Sequence, residues 1–197
     1  MTEQNIQAVY SRSLRLDDGL IPPYGGELVQ AFVQAHQKQD LLQRITQMKR
    51  VDLSAGELVE LKMIASGAYS PLMGFMDEQT YTSVLDSTKL TNGMSWGLPV
   101  TLAVTDEVAK GLSTGVEIAL YRNDEVVGVM LLKDIYRWDA DKEARLFGEG
   151  LKYKYPQIAE RKARHAAYLL GGPVSMIAAR TPDVHRKVNI WPHDLRN

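Results

Sequence analysis

The stretch Ile64-Ala-Ser-Gly-Ala-Tyr-Ser-Pro-Leu-Met-Gly-Phe-Met76 limits what this chain can fold into more than any other part of it. Ahead of it, Ser54-Ala-Gly-Glu57 has the form of a capping box, in which a hydroxyl and a carboxylate three residues on satisfy each other's backbone amides. Leu58, Leu61, Ile64 and Ala65 then give one apolar stripe at helical spacing. Gly67 falls where that helix should end, in the left-handed conformation that glycine adopts freely. Pro71 cannot continue a helix, and Gly74 allows a second tight bend. Leu72, Phe75 and Met76 bring so much apolar surface into this turn-rich loop that it should be pressed against a core. Tyr69 and Ser70 read as turn residues whose hydroxyls serve nearby backbone groups. Gly67, Tyr69, Ser70, Pro71, Leu72, Gly74 and Phe75 therefore make a structural motif that offers no chemistry of its own.

The chain on either side reads as helices first and β-structure later. The first 20 residues have no clear period and suit an arm or a short edge strand. From Glu27 to about Lys49 apolar residues recur at helical spacing, with polar residues from Gln34 to Asp40 interrupting them; two helices or one fit equally. Val51-Asp-Leu53 reads as a connector into the capped helix. Asp77 to about Asp86 predicts another helix, its acidic start suited to the positive end of the helix dipole. Thr91-Asn-Gly93 marks a turn.

Beyond that turn, Leu98 to Val104 alternates like a strand, and Asp106, Glu107 and Lys110 suit a short exposed helix. Val116 to Tyr121 and Val126 to Ile135 flank a hairpin connection, Arg122-Asn-Asp-Glu125. The second arm is apolar on both faces, which points to burial, and its internal glycine to a bulge or close approach. Asp139 to Phe147 and Gln157 to Leu170 read as helices, Gly171-Gly-Pro173 as a break, and Val174 to Ala178 as a closing strand. The expected class is α+β, a small barrel-like mixed sheet with helices before it and inserted in it.

Several of these segments, in this order, resemble the N-terminal region of ATP sulfurylases (sulfate adenylyltransferases). That family carries a Gly-Ala-Tyr/Phe-Ser-Pro-Leu-x-Gly-Phe-Met segment like the one here. Leu20-Ile-Pro-Pro-Tyr-Gly-Gly-Glu-Leu-Val29 resembles the segment that opens many members, where His usually stands at the place of Tyr24. Trp96-Gly-Leu-Pro-Val-Thr-Leu102 and Asp134-Ile-Tyr-Arg137 agree as well, and the resemblance runs from about Leu20 to Val174. It implies a PUA-like domain over residues 20–179, a small mixed β-barrel with N-terminal and inserted helices. Residues 1–19 would be an arm, and 180–197 a tail or the start of a linker.

In that family ATP and sulfate bind in a second, nucleotidyl-transferase domain. Its signature is Gln-x-Arg-Asn-Pro-x-His followed by a further His. Bringing anionic oxygens together at the α-phosphorus needs positioned cationic and hydrogen-bonding groups. No such segment occurs in this sequence, and neither a P-loop nor Gly-x-Gly-x-x-Gly does. Arg196-Asn197 has no Gln at position 194. No catalytic residue and no cofactor are expected on this chain. The partners expected are the catalytic ATP-sulfurylase domain or sister subunits, including a homo-oligomer.

The sequence departs from the family between Phe147 and Leu170, where Gly148-Glu-Gly-Leu-Lys-Tyr-Lys-Tyr155 leads into a basic segment. Lys152, Lys154, Arg161, Arg164 and His165 form a candidate anion contact there. Basic residues interleaved with Tyr153 and Tyr155 can hold phosphates and stack on bases. An alternative function follows: a free-standing binding module for RNA or another anionic partner. The plain reading is a solvated helix face balanced by Glu149 and Glu160.

Composition narrows the classes further. A net charge of -1 gives no general attraction to nucleic acid or to anionic membranes. With no cysteine, a disulfide framework, a thiolate metal site and a cysteine nucleophile are all excluded. No metal site is expected: Asp139, Asp141 and Glu143 lack calcium-loop spacing, and His185 and His193 lack a third ligand. Met1-Thr-Glu-Gln-Asn is not a signal peptide, and no apolar run approaches a membrane span of about 20 residues. A soluble cytoplasmic protein with no membrane partner is expected.

Overall fold

A computed structural model describes residues 12–14, 21–146 and 155–177. In chain order its elements are β1 (Arg12–Leu14), β2 (Leu28–Gln30), α1 (Ala35–Ile45), β3 (Lys49–Asp52), α2 (Ala55–Ala65), β4 (Gly74–Phe75) and α3 (Glu78–Ser87). Then come β5 (Leu102–Thr105), α4 (Asp106–Lys110), β6 (Glu117–Arg122), β7 (Glu125–Leu131), β8 (Asp134–Arg137), α5 (Ala140–Leu146), α6 (Pro156–Ala163) and β9 (Ala166–Met176). The class is α+β, as the sequence predicts. Two compact units divide the chain: Met1–Gly74, Glu117–Leu131 and Pro173–Asn197 form one, and Phe75–Val116 and Leu132–Gly172 the other.

In the first unit, β3 runs parallel to β6, β6 antiparallel to β7, and β7 antiparallel to the end of β9. The mixed sheet arises because β3 and β6 are far apart in sequence, whereas β6 and β7 are joined directly. Their loop is the predicted hairpin, with Asn123 at φ 48° and Asp124 at φ 62°. Two central residues at positive φ twist a two-residue turn to match its strands. The register shifts between Leu120 and Tyr121, whose partners are Gly128 and Val126, so the bulge lies in β7 with Val127 as the extra residue. Gly128 is the close-approach glycine: a Cβ there would lie 2.6 Å from the Ser175 carbonyl oxygen. Val33, Leu41, Ile45, Ala119, Val129, Leu131 and Ile177 form the core against this sheet.

The capping box closes as the sequence foretells, while Gly74, expected at a bend, lies in β4. Ser54 Oγ accepts from the Glu57 amide at 3.2 Å, and Glu57 Oε2 accepts from the Ser54 amide at 2.8 Å. Gly67 has φ +83°, and a Cβ there would sit 2.5 Å from the Val29 carbonyl oxygen. The Ser70 hydroxyl donates to the Gly67 carbonyl at 2.7 Å and accepts from the Val29 amide at 3.0 Å. This buried side chain thereby ties the loop to β2. Ser70→Ala would leave that amide without its acceptor and should cost about 1–3 kcal/mol. Urea unfolding checks it, with an unchanged midpoint as the contrary result. Tyr69, Pro71 and Leu72 are half-buried, Gly74 and Phe75 are buried, and Ser70-Pro71 is a cis peptide. Met73 is 51% exposed, so not all of the loop's apolar surface is covered.

In the second unit, the first half of β9 lies between β5 and β8, pairing antiparallel with both. Leu102, Leu169 and Leu170 are fully buried there. Helix α3 starts at an Asp77 cap whose carboxylate accepts from the Thr80 amide at 2.8 Å.

Four sequence expectations are corrected. Residues 28–30 form β2 rather than the start of a helix, because they pair with β1. The polar run from Gln34 does not interrupt a helix but begins α1, the only helix between positions 27 and 49. Val51 lies in a strand, not a connector, since β6 supplies its partner. The segment 157–170 is not one helix. It ends at Ala163, His165 turns the chain at φ 54°, and residues 166–176, including Gly171-Gly-Pro173, continue as β9. A strand with partners on both edges satisfies its backbone more completely than the local helical period can.

Candidate functional site

The most concentrated polar chemistry among the described residues lies inside the second unit. Glu143 on α5 is 0% exposed and Arg161 on α6 is 5% exposed. An isolated charge in such a place would be costly, so each must find partners. Arg161 Nη1 donates to Glu143 Oε1 at 2.8 Å and Oε2 at 3.1 Å. Its Nη2 donates to the buried Thr101 hydroxyl at 2.6 Å. Two further donors converge on Glu143 Oε2: the Tyr81 hydroxyl at 3.0 Å and the Trp138 indole N–H at 2.8 Å. The guanidinium also stands 5.7 Å from the centre of the Trp138 ring.

Local sequence explains each placement. Tyr81 lies on the inner face of α3 with Val84, and its ring packs 5.5 Å from that of Tyr136. The Tyr136 hydroxyl in turn donates to the Met76 carbonyl at 2.8 Å. Asp139 accepts from the Lys142 amide at 2.8 Å, which opens α5 and turns Glu143 inward. Pro156 starts α6, where the missing amide costs nothing, and Ile158 and Arg161 face inward one turn apart.

Burial, then the charge of Glu143, raises the Tyr81 phenol well above the ordinary value near 10. Burial raises Tyr136 likewise. Above pH about 10 the unfolded chain releases these protons while the folded chain keeps them, so stability falls as pH rises. Unfolding free energy measured from pH 8 to 11 should be flat at first and then decline. A rise above pH 10 would contradict this burial.

The network has the character of a sealed structural joint. Every group named gives or receives within the cluster, and both charges are closed off from solvent. It holds a proton donor, a carboxylate and a cation, yet presents none of them to a substrate.

The sequence-predicted site residues fall into separate places. Arg161 is removed from the expected anion contact, because its guanidinium is buried on Glu143 and Thr101. Arg164 is half-buried, 3.7 Å from Glu160, which agrees with a balanced helix face. His165 is exposed at the turn into β9. Lys152 and Lys154 lie outside the described residues, as do His185 and His193. Glu143 is not a cation ligand with Asp139 and Asp141, since it points inward to Arg161. Among the described residues, no group of three His, Asp or Glu side chains is placed to hold a metal ion. No described helix is long and apolar enough to cross a membrane. Sequence reading missed the cluster because Tyr81, Thr101, Trp138, Glu143 and Arg161 are scattered over 80 positions and share no motif.

Comparison with known proteins gives one consistent answer. The profile of the PUA-like domain family matches residues 21–179. The sulfate adenylyltransferase of Staphylothermus marinus is 32% identical over 178 residues, covering 90% of this chain and 46% of that enzyme. That of Synechococcus elongatus is 36% identical over 158 residues, covering 80% of this chain and 40% of the enzyme. Among solved structures, a hexameric APS kinase from Thiobacillus denitrificans superposes with a TM-score of 0.68 at 25% identity, over 90% of this chain and 31% of that one. The chain thus spans less than half the length of these relatives. With the matched profile, the ordered motifs and the α+β fold in agreement, the chain belongs to the PUA-like domain family.

Proposed function

We propose that this chain acts as the PUA-like N-terminal domain of a sulfate adenylyltransferase. In the complete enzyme, sulfate and ATP would give adenylyl sulfate and pyrophosphate. Here the domain, residues 20–179 with an arm before and a tail after, docks on the catalytic portion or on neighbouring subunits and does not turn over substrate by itself. Its setting on this reading is cytoplasmic sulfur metabolism.

One observation carries the proposal: similarity runs through 90% of this chain but stops at 46% of the Staphylothermus marinus enzyme. The interior supports it. Gathering sulfate and a triphosphate needs free, preorganised cations, and the buried Arg161 is already committed to Glu143 and Thr101.

The test is binding in trans. The part of the Synechococcus elongatus enzyme outside its 158 matched residues would be titrated with the 197-residue chain by calorimetry. That enzyme's own matched region serves as the reference. Saturable one-to-one binding is expected. No binding, where the reference binds, would overturn the proposal.

A further inference from the structure

Helix α2 differs from its neighbours in being apolar on both sides. Leu61, Ile64 and Ala65 are fully buried on its inner face, and Glu57 is occupied in the cap. On the opposite face, one turn apart, stand Ala55, Val59 and Met63. Ala55 is exposed, Val59 is 50% exposed, Met63 is half-buried, and Leu58 at the flank is half-buried too. Helix α1 follows the ordinary pattern: Leu41 and Ile45 turn inward, while Gln39, Asp40 and Gln43 make its outer side mostly polar, with Leu42 the exposed apolar residue among them. A helix apolar all round is the mark of an element covered on both sides. Leaving Val59 and Met63 partly in water forgoes part of the gain that full burial of each would bring.

We propose that the outer face of α2, centred on Val59 and Met63, is the surface on which the remainder of a sulfate-adenylyltransferase polypeptide packs. The inference rests on the function proposed above and names its contact. Relatives supply the occupant: the matched region is 40% of the Synechococcus elongatus enzyme, so the larger part of that chain lies outside it and is available to cover an apolar face. The partner surface should itself be apolar, because α2 offers only Glu60 and Lys62, both partly buried, as charges beside the patch.

Val59→Glu and Val59→Lys place a charge at an exposed position and should leave the melting curve of the chain unchanged. Titrated against the same Synechococcus elongatus fragment, both should bind at least 10-fold more weakly than wild type. Leu42→Glu, at a 41% exposed site on α1, should bind as wild type does. Wild-type affinity in both Val59 variants would overturn the surface while leaving the docking function standing. Failure of the wild-type chain to bind would remove the function and the surface together. If the chain sediments alone as a dimer that Val59→Glu converts to monomer, the occupant is a second copy, and the proposal is wrong.

Discussion

Replacing Arg161 by leucine should lower the unfolding free energy by about 3–5 kcal/mol, the cost of leaving a buried charge without its partner. Glu143 would keep the Tyr81 and Trp138 donors, but no cation would balance its carboxylate inside the second unit. Glu143→Leu should cost a similar amount, because it strands the guanidinium and orphans both donors. The informative variant is the double one. With both charges gone, the loss should be smaller than the sum of the single losses, since the pair forms one coupled unit. Urea unfolding of the four proteins measures this directly. Single losses below about 1 kcal/mol would show that the pair reaches solvent, as surface ion pairs do.

Gly67→Ala should cost roughly 2–5 kcal/mol, and its size can be divided between two causes. The left-handed backbone alone penalises a side chain by about 1–2 kcal/mol. To that is added the clash of a Cβ 2.5 Å from the Val29 carbonyl oxygen and 2.7 Å from Leu28 Cδ1. Relieving it must shift backbone, and overpacking of this kind costs about 1–3 kcal/mol. Gly93 is the built-in control: its φ is +86°, yet nothing lies within 4 Å of its Cβ position. Gly93→Ala should therefore show the conformational penalty alone. Equal losses at the two sites would contradict the close packing of the loop on β2.

The contrast between these two predictions shows what the sequence makes legible. Gly67, the capping box at Ser54 and Glu57, and the Asn123-Asp124 turn rely on local stereochemistry, so residue type and spacing announce them. The Ser70 hydroxyl follows in kind, though its partner Val29 stands 41 positions away and only the fold reveals it. Partners of that distance also explain the errors. Leu169 keeps a helical period with Ile158 and His165, but β5 and β8 approach from both sides and draw it into a strand. With Glu160, Lys162 and Arg164 as neighbours, Arg161 reads as a surface cation. Its real environment comes from Glu143 and Thr101, on other elements. A charge's burial is a property of the packed fold, and no short window encodes it.

The apolar outer face of α2 belongs to the same lesson. Leu58, Leu61, Ile64 and Ala65 are enough to predict the helix, while Val59 and Met63, spaced one turn apart on its other side, are surplus to one core. That surplus joins the fold to the proposed role in a larger enzyme.

The central claim, that this chain docks and does not catalyse, is tested most directly by pyrophosphate release from the purified 197-residue protein. Given ATP, magnesium and sulfate, it should release no more pyrophosphate than buffer alone. Sustained, sulfate-dependent release by the chain on its own would contradict the account.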